Sequence, residues 1–134
     1  MLSKFKSLFK NISVFDTDVN SMPGSEKTKA TTFTLLYDNL AVGELNFDGS
    51  NWNFQYTKMF QNQNEIEPIP SFPIKSKIYK SSELWPFFQS RIPSLKQPKI
   101  NAIVNAHGLK ENDIISLLRL FGARSINNPF VLQG

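Results

Sequence analysis

His107 is the single histidine of the chain. Imidazole is the one side chain whose ordinary pKa lies near neutrality, so acid–base chemistry would be sought there first. It stands directly before Gly108 at the end of a helical pattern, where an imidazolium answers the negative end of a helix dipole or simply faces water. A general base would also need a nucleophile and an orienting acid, and no local pattern supplies them. The serines lack a nucleophile elbow or a Ser-x-x-Lys context. Gly43, Gly49, Gly108, Gly122 and Gly134 are isolated from one another, so no glycine-rich loop cradles a phosphate. Asp113 opens a helical run, where a carboxylate serves as cap or dipole partner, and Glu44 reads as a solvent-facing strand residue. With one His and no Cys, neither a zinc site nor a disulfide is expected. The expectation is no catalytic residue, no metal and no cofactor.

Two features could instead carry binding. One is an excess of aromatics, which concentrate both in cores and at interface anchors. Trp52, Phe54, Tyr56, Phe87 and Phe88 are most simply core, whereas Tyr79 and Trp85 are harder to place inside. The other is the basic stretch Lys75-Ser-Lys-Ile-Tyr-Lys80, read as a loop that either enters an acidic groove of a partner or is a solvated connection. Lys75, Lys77, Tyr79 and Trp85 are the candidate partner-binding residues.

The elements that would position them centre on Leu40–Tyr56. Trp52, Phe54 and Tyr56 alternate with Asn51, Asn53, Gln55 and Thr57, a period of two that sets rings on one face and polar groups on the other. Before them, Ala41, Gly43, Leu45 and Phe47 form one face and Leu40, Val42, Glu44 and Asn46 the other. Asp48-Gly49 predicts a type I′ hairpin turn. Phe33, Leu35 and Tyr37 alternate in a preceding strand, closed by a tight turn at Asp38-Asn39. The spacing predicts a meander over roughly residues 32–37, 40–47 and 52–57. Pro68, Pro70 and Pro73 then keep their segment out of a sheet interior, where Phe72 and Ile74 can still anchor it. A helix is predicted from a Ser82 N-cap through Leu84, Phe87, Phe88 and Ile92 to Pro93, with Pro86 in its first turn. A second covers about Pro98–Ala106 with Ile100, Ile103 and Val104 inward. A third runs from about Glu111 to Phe121. The tail Pro129–Leu132 can add a late strand. The class is α+β: a small antiparallel sheet with about three helices packed on one side.

Residues 1–30 form a separate segment. Leu2, Phe5, Leu8, Phe9 and Ile12 recur at helical spacing among Lys4, Lys6 and Lys10, and a linker follows over 16–30. Such a basic amphipathic helix can rest on its own domain, on a neighbouring chain or on an anionic membrane surface. The domain proper is expected over 31–134. The net charge of +4 is divided evenly, +2 on residues 1–30 and +2 on the rest, unlike the dense basic stripe of a nucleic-acid binder.

Three pieces carry a resemblance. Val42-Gly43-Glu44-Leu45 with Phe54-Gln55-Tyr56 is similar to the start of HipA-type kinases. Leu84-Trp-Pro-Phe-Phe-Gln-Ser-Arg-Ile-Pro-Ser94 resembles that family's Pro-Phe-Phe helix, with Ser90 where the family has Asn. Gly108, Asp113-Ile-Ile-Ser-Leu-Leu118 and Gly122 resemble its Gly…Asp…Leu-Leu…Gly stretch. All belong to the small N-terminal subdomain, and the kinase's phosphate loop, catalytic Asp and metal-binding Asp would lie beyond it. A free-standing form of this subdomain resembles the HipS members of tripartite HipBST toxin–antitoxin systems. The resemblance implies an antitoxin of the bacterial cytoplasm that binds and restrains a HipT-like Ser/Thr kinase toxin. It also leaves open an accessory role beside a HipB-like helix-turn-helix protein, touching DNA only indirectly, or a kinase-activating or structural role.

Overall fold

The computed structural model describes residues 30–134, and the amphipathic and linker segments expected over residues 1–29 lie outside them. In chain order the elements are β1 (Thr31–Tyr37), β2 (Leu40–Phe47), β3 (Trp52–Tyr56), α1 (Lys58–Gln61), β4 (Tyr79–Ser81), α2 (Pro86–Gln89), α3 (Pro98–Ala106), α4 (Ile114–Phe121) and β5 (Val131–Gln133). The strands form one five-stranded antiparallel sheet in the order β4-β3-β2-β1-β5. The class is α+β, as the alternation and helical spacing predict.

One face of the sheet is buried. Phe33, Leu35, Leu45, Trp52, Phe54 and Tyr56 point into it, and Phe88 of α2, Leu118 of α4 and Leu132 of β5 close over them. Phe54 sits at the centre, its ring centroid 4.5 Å from Phe72, 5.2 Å from Tyr56 and 5.6 Å from Phe88. Gly43 lies across β2 from this ring because nothing larger fits. A Cβ built there would be 2.5 Å from Phe54 Cζ and 2.9 Å from the Gln55 carbonyl oxygen.

The simple alternation expected for β2 is broken. Leu35 pairs with Gly43 but Leu36 with Ala41, so Val42 is the extra residue of a β-bulge. The bulge turns Val42, expected on the polar face, fully into the core, and it brings half-buried Leu40 against that core too. The turn after β2 also differs from the type I′ reading. Asp48 N–H donates to the Asn51 carbonyl, leaving Gly49-Ser50 central, and Gly49 alone takes a positive φ of 103°. Type I′ needs positive φ at both central residues, so this turn is not of that type. Asp48 instead acts through its side chain, accepting from Asn51 N–H at 2.8 Å and Ser50 N–H at 2.9 Å. These two bonds, the Asn51 one first, hold its carboxyl below the usual carboxylate range. At the other hairpin it is Asp38, with φ 53°, that takes the left-handed conformation.

Two of the three predicted helices, α2 and α4, are shorter than their hydrophobic patterns. Ser82 does not cap α2. Trp85 is the N-cap residue, Pro86 opens the helix at a position where a missing N–H costs nothing, and it ends at Gln89. The α3 span matches its prediction and closes in a Schellman motif, with Leu109 N–H on the Val104 carbonyl, Gly108 N–H on the Asn105 carbonyl, and Gly108 at φ 67°. Its Val104 is buried, but Ile103, expected inward, is 36% exposed. The α4 helix starts at Ile114, since Asp113 is its N-cap and accepts from Ser116 N–H at 3.2 Å. Thr57, expected to continue β3, is likewise a cap. It accepts from Phe60 N–H at 3.1 Å and starts the unforeseen α1.

Arg91 ties the last strand to the rest. It is only 4% exposed and, among the described residues, is bonded to no carboxylate. Its Nη1 donates to the carbonyls of Gly122 (2.9 Å) and Ala123 (3.3 Å), and its Nη2 to Asn128 Oδ1 (3.0 Å) and the Phe130 carbonyl (2.9 Å). Burial lowers its pKa from the usual arginine value, yet a guanidinium stays charged at any physiological pH.

Two substitutions test this packing. Gly43→Ala should displace the Phe54 ring and cost roughly 1–3 kcal/mol in a urea melt. Arg91→Met should strand acceptors left by the guanidinium, costing on the order of 2–4 kcal/mol, with β5 amides the first to lose hydrogen-exchange protection.

Candidate partner-binding site

The chain between β3 and β4, residues 57–78, is irregular apart from α1, yet side chains of the sheet and of the loop itself fasten it at several points. Tyr56 supplies the deepest. Its hydroxyl donates to the Phe72 carbonyl at 2.6 Å and accepts from Ile69 N–H at 2.9 Å, while Ile69 and Phe72 bury their side chains in the core. Burial pushes the Tyr56 pKa up to about 12, an effect partly offset by the Ile69 N–H. Gln63 folds the next stretch around itself, donating to the Phe60 and Ile66 carbonyls and accepting from Glu65 and Ile66 N–H.

The far end of the loop is a turn, closed by Lys77 N–H on the Ile74 carbonyl at 3.3 Å. The Tyr79 hydroxyl clamps the same residue, accepting from Ile74 N–H at 2.8 Å and donating to the Ile74 carbonyl at 3.3 Å. Tyr79 was expected in a loop. It is instead the first residue of β4, paired with Phe54, because its ring seats edge-on against Phe72 at 5.0 Å on the covered face. Trp85 meets the same Phe72 ring edge-on at 5.2 Å and is half-buried. Tyr79 and Trp85 thus flank one core phenylalanine.

The lysines separate. Lys75 Nζ donates to the Gln63 carbonyl at 2.6 Å and lies 5.5 Å from the Phe60 ring centroid, so it is engaged inside the domain. Lys77 is exposed, its ammonium 5.0 Å from the Tyr79 ring centroid. Of the two anchors the sequence suggested for the proline segment, Phe72 is fully buried but Ile74 is 53% exposed; Ile78, which drew no reading, is 61% exposed on the other side of the turn. An aliphatic residue with no periodic pattern around it carries no signal of where it points.

The opposite face of the sheet is polar. The register aligns Thr32, Asn46, Asn53 and Lys80 in one row across four strands, and Gln133, Thr34, Glu44 and Gln55 in another. Ile78 overhangs this face, forming with Thr32, Glu44, Asn46, Asn53 and Gln55 a cleft of ≈ 270 Å³. His107 lies away from all of this, exposed at the C-cap of α3 with Nδ1 2.9 Å from the Ile103 carbonyl, as the sequence led one to expect. Among the described residues no group of His, Asp and Glu is placed to hold a metal ion, and no helix is long and apolar enough to cross a membrane.

Tyr56→Phe provides a pH test of the loop's anchor. At neutral pH it leaves Ile69 N–H and the Phe72 carbonyl buried without their partner, a loss of roughly 1–3 kcal/mol. The folded pKa lies above the ordinary 10, so the fold favours the protonated hydroxyl. That stabilisation is complete below pH 10 and disappears as pH rises towards 12. The stability gap between wild type and Tyr56→Phe should therefore narrow by roughly 2 kcal/mol across that interval in denaturant melts.

No curated protein matches the chain. A family model described as the HipA N-terminal domain matches residues 33–126, from the first inward phenylalanine of β1 to the segment held by Arg91. A HipA N-terminal domain is not the kinase catalytic domain, and it places the chain in a HipA-related toxin–antitoxin context. The match takes in β1 through α4, with the Pro-Phe-Phe helix and the loop fastened by Tyr56, so the chain belongs to the HipA N-terminal domain family.

Proposed function

We propose that the chain is a non-catalytic antitoxin of HipS type, which binds a HipT-like Ser/Thr kinase toxin and restrains its activity. The observation that carries this reading is the family match over residues 33–126. In an intact HipA-type kinase this subdomain sits against the kinase fold. Supplied as a separate polypeptide, it keeps the docking surface and can bias the enzyme towards the conformation that surface fits best. The effect requires only that one conformation be bound more tightly than the other.

The contacts we assign are Lys75, Lys77, Tyr79 and Trp85. Lys77 and the exposed edge of Trp85 reach the partner. Lys75 and Tyr79 hold the loop that presents them, through the Gln63 carbonyl and the Ile74 backbone. The loop enters the encounter already ordered, which removes much of the entropic cost of docking a flexible segment.

Co-expression with a HipT-like kinase tests the reading. The expected outcome is relief of growth arrest and a complex that survives purification, weakened about 10-fold by Lys77→Glu through loss of a charge contact. Persistent arrest with no complex would discard the proposal.

A further inference from the structure

We infer that the anchor of the docking surface is the pair Ile74 and Ile78, and that it seats in an apolar hollow of the kinase rimmed by carboxylates. This deepens the antitoxin reading and rests on it.

Both side chains are branched aliphatics left more than half exposed at 53% and 61%, in a domain that buries most of its large apolar residues. They are four positions apart, joined by the turn that Lys77 N–H closes on the Ile74 carbonyl. The turn does not depend on a partner for its shape. Pro73 precedes it, the Tyr79 hydroxyl binds both backbone groups of Ile74, and Lys75 is fixed to the Gln63 carbonyl. Two rigidly presented apolar side chains lose little freedom when covered, which is the property of an interface anchor.

The charge around them names the chemistry of the occupant. Residues 68–82 contain Lys75, Lys77 and Lys80 and no Asp or Glu. Lys75 is engaged internally, which leaves Lys77 and Lys80 exposed beside the isoleucines. Lys80 helps lower the Asp48 carboxyl on the neighbouring turn, but as the lesser influence there, after the Asn51 and Ser50 N–H groups. A surface complementary to this one has a hollow for two aliphatic groups and acidic residues at its margin. Ile78 also borders Glu44, Asn53 and Gln55 on the open face of the sheet, so the occupant's acidic groups belong beside Lys77 and Lys80 rather than over that cleft, whose amides give it hydrogen-bonding groups.

The experiment compares wild type with the double variant Ile74→Ser, Ile78→Ser in binding to the purified kinase, and maps the wild-type complex by hydrogen exchange. The expected result is affinity at least about 10-fold weaker for the variant, an unchanged thermal midpoint, and slowed exchange of amides 74–78 in the wild-type complex. Equal affinity of variant and wild type, or no slowing at residues 74–78, overturns the anchor while leaving the antitoxin reading intact. Absence of any wild-type complex overturns both. If the wild-type chain self-associates and the double variant does not, while both bind kinase equally, the occupant is a second copy and the inference falls.

Discussion

The hydroxyl of Tyr56 is the point at which the sheet takes hold of everything that follows it. Pro68, Pro70 and Pro73 cannot donate to a ladder, so the segment they punctuate cannot become a strand in the sheet interior. It nevertheless has to bury Ile69 and Phe72, since the inner face of β3 would otherwise be open to water. Burying those side chains drags their backbone polar groups out of solvent, and each needs a partner. One phenolic oxygen serves the Ile69 N–H and the Phe72 carbonyl together. Phenylalanine at position 56 would fill the same space and leave both groups unmatched.

Arg91 solves a similar problem at the other end of the domain. Between α4 and β5 the chain runs through Ala123–Phe130 without regular structure, and of the carbonyls Arg91 binds there only that of Ala123 also accepts from the backbone, from Leu132 N–H at 2.8 Å. A guanidinium presents several donors in a fixed plane, so one side chain can collect acceptors that lie far apart in sequence. The four oxygens it binds come from Gly122, Ala123, Asn128 and Phe130. A buried charge without a counter-ion is costly in general, and here the cost is offset by carbonyl dipoles aimed at it. Its Nε is left without a partner, so the offset is incomplete.

These two devices explain what could and could not be read from the sequence. The alternation of Trp52, Phe54 and Tyr56 and the Pro98–Ala106 helix were legible because each rests on local periodicity, and the late strand because the tail is short and apolar. The Val42 bulge was not, since an inserted residue shifts the phase without any composition signal of its own. Ser82 looked like a helix cap because capping chemistry recurs in loops, and Ser81 in fact accepts from Glu83 N–H as part of a bend. β4 was missed because three residues among lysines have no alternation to recognise, and only the contact of Tyr79 with Phe72 decides their place. Of the site, the basic loop was visible as a charge run. The engagement of Lys75 and the exposure of Ile74 and Ile78 follow from tertiary contacts between distant residues, which no window of sequence contains.

The form of the sheet bears on the proposed docking. Its outer strands, β4 and β5, are three residues each, and short edges discourage indiscriminate pairing with other chains. Lys80 on β4 adds a charge to that protection. An exposed isoleucine immediately before the same strand works against it, because apolar surface beside an open edge invites association. A sequence under pressure only to stay soluble would place a polar residue at position 78, where the neighbours across the face are Asn53 and Gln55. Isoleucine at both 74 and 78, on a turn fastened by Tyr79, is what the proposed docking requires: apolar surface held ready for one partner, with the lysines beside it favouring a surface of opposite charge.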